Sequence, residues 1–190
     1  MRAAAAGALL TLAACAAVVE PPPAPERPVR AALLDHGRHA SLLLERPGEG
    51  MVRYSYGDWD WYALGRTSVG QGSAALLWPT QGALGRRRLP GPATPEAATA
   101  QVRVAIEDAL WFDVEAAKAQ ALADELDSVF AANADTLVYN RAFDLELVHH
   151  PDRYTLTNNS NRRVADWIEA LGGQVAGPVL LSDWRLRNQQ

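Results

Sequence analysis

Residues 157–172, TNNSNRRVADWIEALG, read as a polar turn running into a helix, with Ser160 where turn becomes helix. A side chain there meets backbone N–H groups that lack partners within the helix, and the helix dipole favours negative charge at that end. A thiol in such a place ionises readily. A serine hydroxyl stays protonated in the same field, and it attacks only with a true general base and a good oxyanion hole. The hydroxyl also has an ordinary use, because serine and asparagine are preferred helix N-caps and "NNSN" supplies several. A second cluster, His149, His150 and Asp152, invites a metal. Adjacent histidines on a strand face opposite ways, and no further ligands stand at helical spacing, so no zinc site is expected. No other cofactor is expected either, since neither a phosphate loop nor a nucleotide fingerprint is visible. For Trp59, Trp61, Trp78 and Trp167, core packing is the default and a groove lining the alternative.

Composition narrows the setting. At 190 residues and 48% hydrophobic, the chain suits one domain with a real core. A net charge of −4 offers no basic field for nucleic acid. The one basic run, Arg86 to Arg88, reads as a solvated loop. The N-terminus MRAAAAGALLTLAAC has a positive Arg2 and a short apolar run ending in small residues, which is the form of a secretory signal. Its end, Leu12 to Cys15, resembles a bacterial lipobox. That resemblance implies cleavage before Cys15, the chain's only cysteine, which then carries a lipid anchor; a lone cysteine allows no intramolecular disulfide. Ala16 rather than aspartate after it points to the periplasmic face of the outer membrane in a Gram-negative host. Residues 15–28 then read as lipid anchor and proline-rich tether, semi-rigid and extended, with the folded domain from Val29 to Gln190.

The elements that would position these residues follow from periodicity. "VRAALLD" (29–35), "ASLLLE" (40–45) and "AALLWP" (74–79) are short apolar runs, and "MVRYSYG" (51–57) alternates with the period of a half-buried strand. Val102, Val104 and Ile106 alternate, which predicts a strand over 101–107. Asp113 is a candidate cap for a helix over 114–131, whose buried face is Leu122, Leu126, Val129 and Phe130. "TLVYN" and "FDLELV" read as strands, "HHPDR" as a turn before "YTL". The second helix starts near Asn161, buries Val164, Trp167, Ile168 and Leu171, and ends at Gly172 and Gly173. "VAGPVLL" offers a last strand. The sum is an α+β fold, a mostly antiparallel sheet with two main helices packed against it.

In this order, "HGRHASLLL", "YSYGDWDWY", "LLWPT" and "NSNRRVADWIEALGG" together resemble domain-of-unknown-function family 2459, an uncharacterised bacterial family, over residues 30–185. That family is itself similar to the circularly permuted NlpC-type papain-like fold, in which histidine precedes cysteine. The resemblance implies that His39 stands at the catalytic histidine and Ser160 at the cysteine. It sets Tyr56, Gly57, Asp58, Trp61 and Tyr62 on an aromatic–glycine–aspartate motif, and Asn161 on the asparagine after the cysteine. Asp58 would orient His39 as a triad's third member does, or serve as a turn residue, and Tyr56 is another candidate for that place. Tyr56 and Asn161 are candidate ligand contacts. The expectation is therefore a lipid-anchored envelope protein whose degenerate site binds a peptide, glycan or acyl ligand without turnover. The alternatives are an active serine amidase or esterase using Ser160, His39 and Asp58, and a purely structural lipoprotein.

Overall fold

Strands β2 (Pro28–Asp35), β3 (Ala40–Arg46) and β4 (Gly50–Asp58) stand where the apolar runs predict them. They form the middle of the structure, a computed structural model that describes residues 16–66, 78–180 and 182–187. Cys15 and the residues read above as a secretory signal lie outside the described residues, as does most of "AALLWP". Strands β5 (Thr80–Leu89), β6 (Asp108–Glu115), β7 (Val138–Asn140) and β8 (Leu145–Tyr154) complete a sheet in the order β6-β2-β3-β4-β5-β8-β7, antiparallel at every pairing. Four α-helices are described: α1 (Trp59–Tyr62), α2 (Pro95–Gln101), α3 (Ala116–Ala132) and α4 (Ser160–Ala170). The chain is thus α+β with a mostly antiparallel sheet.

Both faces of the main sheet are covered. On one, Leu33, Leu42, Val52, Tyr54 and Leu84 meet the apolar stripes of α3 and α4, among them Leu122, Leu126, Val164, Trp167 and Ile168. On the other, Leu34, Leu43 and Met51 lie under α2 and the segment after it, while Tyr62 of α1 packs on Ala83, Leu145 and Leu147. Covering both faces explains why the alternating "MVRYSYG" is buried from Met51 to Gly57, its polar members included. Gly57 matters for close approach. A Cβ there would stand 2.2 Å from the Tyr62 ring, so only glycine lets that ring lie on the strand.

Several expectations are corrected. The fold does not begin near Val29. Ala17–Glu20 form β1, which pairs in parallel with β10 (Trp184–Leu186) and antiparallel with β9 (Gln174–Ala176). Ala17 and Val19 are fully buried, so the prolines of 21–28 join two strands instead of forming a free tether. Residues 102–107 are no strand. They form an irregular, bent segment over the sheet face, and the alternation reflects Val102, Val104 and Ile106 settling on that face. Asp113 lies inside β6 and pairs with Arg30; α3 begins at Ala116 after Glu115, whose carboxylate accepts the N–H groups of Glu26 and Arg27. "HHPDR" is not a turn either. β8 runs through it because the register shifts opposite Gln81 and Gly82, and the resulting bulge accommodates Pro151. Helix α4 matches its prediction closely, and Gly172, at φ 93°, supplies the left-handed residue after it.

Candidate functional site

The pairings align one end of the main sheet, here termed the upper end. Asp35 meets Ala40, Asp58 meets Gly82 and Thr80 meets Tyr154. The candidates Ser160, Asn161, Tyr56, Asp58 and His39 lie at or next to that end, yet they divide between the two faces.

Ser160 opens α4 on the helix-covered face and is buried, 4% exposed. The cap is the residue before it: Asn159 Oδ1 accepts the Arg162 N–H at 2.9 Å, and Asn159 Nδ2 donates to the Leu156 carbonyl at 2.9 Å. Among the described residues no hydrogen bond engages the Ser160 hydroxyl. Asn161 is buried as well, and its Oδ1 accepts nothing. A buried acceptor left unpaired costs about 1–3 kcal/mol, so it marks a place where a donor group would be welcome.

Beside the helix start, Tyr56 ties three elements together. Its hydroxyl donates to the Asp152 carbonyl at 3.3 Å and accepts from Asn158 Nδ2 at 3.2 Å. The Arg163 guanidinium lies 4.8 Å from its ring centre while Nη2 donates to Asp152 Oδ2 at 2.7 Å and Asn158 Oδ1 at 3.0 Å. Burial pushes the Tyr56 phenol up to about 12, so it remains protonated and acts as a tie, not a base. His150 meets the same ring edge-on at 5.0 Å, and its Nδ1 accepts the Asp152 N–H at 2.9 Å, which puts the proton of the neutral ring on Nε2. Burial lowers its pKa. His149 points the other way and packs on Trp59 at 4.2 Å, as alternation requires. No cluster of three metal-ligating side chains exists among the described residues.

Asp58 is spent on structure. Oδ1 accepts the Trp61 N–H at 2.8 Å, capping α1, and Oδ2 accepts the Thr80 hydroxyl at 2.5 Å. Neither oxygen meets His39.

His39 is on the far face. It sits in the β2–β3 turn, in register with Ser41 and Leu43, while Ala40 and Leu42 face α4. Its ring stacks on His36 at 4.8 Å and meets Tyr62 and Phe143 edge-on at 5.4 and 6.1 Å. Burial, with the neighbouring His36 and the Arg53 charge, lowers its pKa to about 3. His36 is held by its own partners: Nδ1–H donates to the Ala105 carbonyl at 2.7 Å, and Nε2 accepts the Ser41 hydroxyl at 2.9 Å. Burial takes its pKa down to about 4. The sheet therefore separates His39 from Ser160. The structure brings Tyr56, His150, Asn158 and Arg163 together beside α4, and it does not assemble Ser160, His39 and Asp58 into a triad.

Arg53 carries no signal of a special role in the sequence. It is 1% exposed on the His39 side, with Nη2 donating to the carbonyls of Phe143 at 2.6 Å and Asp144 at 3.2 Å, while Nε and Nη1 lack partners. Burial brings its pKa down to about 10, so it remains a cation at neutral pH. In an alternating strand its position reads as solvent-facing, and only the second covered face turns it inward.

Compared with known proteins, the chain matches no family, no curated protein and no solved structure.

Proposed function

We propose that this protein is a lipid-anchored component of the bacterial cell envelope, attached through Cys15, whose domain derives from the permuted papain-like type of domain-of-unknown-function family 2459. Its site at the start of α4 binds a peptide, glycan or acyl ligand and does not turn it over. The observation that carries the absence of turnover is the separation of Ser160 from His39 by the thickness of the sheet. A serine nucleophile needs a base within hydrogen-bond reach, about 2.6–3.2 Å. No ring or carboxylate engages Ser160 among the described residues, and Asp58 already accepts two hydrogen bonds. Binding is supported by the unpaired Asn161 Oδ1 beside the Tyr56–Asn158–Arg163 cluster. A serine amidase or esterase lacks such support.

The anchor is tested by expressing Cys15→Ser and fractionating the cells. The wild type is expected in the membrane pellet and the variant in the soluble fraction. Retention of the variant as firmly as the wild type would refute the anchor.

A further inference from the structure

The upper end of the domain has a feature that the site does not use. Three large apolar side chains lie open to solvent there: Trp78, 73% exposed, Leu156, 43%, and Leu180, 52%. Trp78 stands two residues before Thr80, the first residue of β5, and Leu156 two residues after Tyr154, the last of β8. Leu180 lies in the loop between β9 and β10. That loop belongs to the same end, because the Ser182 hydroxyl donates to Asp35 Oδ1 at the tip of β2. Single exposed apolar residues are ordinary, but three from separate segments at one end of a domain call for a partner.

The path of the chain says what the partner is. β1 starts at Ala17, whose N–H donates to the Asp183 carbonyl in this same loop, and it runs away from the upper end toward β9 residue Gln174 at Glu20. Ala17 is fully buried. Cys15 therefore lies within two residues of a fixed point at the upper end, a reach of about 7 Å even if fully extended. An acyl group there has no tether on which to hold the domain away from the bilayer. The opposite end carries instead the ion pairs of Arg46 and Arg88 with Glu49 and Asp127.

We propose that the upper end docks on the lipid bilayer, with Trp78, Leu156 and Leu180 inserted at the interface around the acylated Cys15. This rests on the acylation of Cys15 proposed above. Tryptophan with its apolar body and N–H tip suits the headgroup boundary, and an acyl chain needs a second contact for stable anchoring. The cations Arg38, Arg153 and Arg163 at this end are matched in number by Glu107, Asp108 and Asp152, so insertion of apolar groups, not charge attraction, holds the surface down. The start of α4 follows the upper end of β8, so a ligand bound there would be met at the membrane surface.

The test uses the lipoprotein extracted from membranes of an expressing bacterium and reconstituted into phosphatidylethanolamine–phosphatidylglycerol vesicles, with and without acyl chains brominated near the headgroup. Intact mass first reports whether Cys15 carries lipid. Bromolipid is expected to quench the tryptophan emission of the wild type, and Trp78→Phe, a change at an exposed position, should abolish most of that quenching although five tryptophans remain of the six. Vesicle-bound, acylated protein without quenching, or quenching unchanged in Trp78→Phe, overturns the docking and leaves the anchor standing. A mass without lipid overturns both.

Discussion

Lowering the pH from 7.5 to 5 should cost this domain about 4 kcal/mol of stability through His36 and His39 alone. Both rings are held neutral in the fold, with pKa values brought down to about 4 and about 3 from an ordinary 6.5. Below pH 6.5 the unfolded chain takes up protons that the folded chain refuses, so stability falls with pH until the folded-state values are reached. At pH 5 each histidine has withdrawn about 2 kcal/mol, from the binding difference between a pKa of 6.5 and one well below 5. His150, also lowered by burial, acts in the same direction. His39→Phe keeps an aromatic ring against Tyr62 and Phe143 while removing one titration, and it should reduce the loss by about half, roughly 2 kcal/mol. The assay is urea unfolding followed by tryptophan emission at pH 7.5, 6 and 5. A wild type equally stable at 7.5 and 5, or a His39→Phe variant that keeps the full slope, would refute the burial of the two rings.

Trp167 fills the space between α4 and the sheet and is 5% exposed, so Trp167→Ala should cost about 3–5 kcal/mol by denaturant unfolding. Gly57→Ala drives a Cβ into the Tyr62 ring and should cost about 1–3 kcal/mol; Gly57→Ala combined with Tyr62→Ala should not show that added penalty.

Where residues repeat at the period of their element, the sequence discloses the structure well. Val164, Trp167 and Ile168 of an eleven-residue helix, with Leu171 just after it, are all buried, and the apolar runs at 29–35 and 40–45 and the alternating run at 51–57 become adjacent strands. Position fails where contacts between distant segments decide it. β1 is only four residues long, and its burial depends on partners more than 150 residues away, so nothing local distinguishes it from the apolar run that precedes it in the sequence. Pro151 signals a turn locally, but the bulge opposite Gln81 lets the strand continue. The candidate site shows the same limit. The type of each residue was legible, but His39 lies at a hairpin turn, where a single step of register decides which face it joins. That step sends it toward Tyr62 and Phe143, away from Ser160.

The most direct test of that separation is the acidity of a thiol placed at position 160. Ser160→Cys in a Cys15→Ser background leaves one cysteine to report, and the pH dependence of its alkylation by iodoacetamide gives its pKa. If an imidazolium stood beside it, as in cysteine hydrolases, replacing the histidine would raise that pKa by one or more units. With His39 across the sheet, the value in Ser160→Cys and in Ser160→Cys with His39→Ala should agree within about 0.3 unit, whatever the helix end contributes. A thiol whose acidity is lost with His39→Ala would contradict the account, because it would mean that the two residues meet and that the catalytic pair is intact.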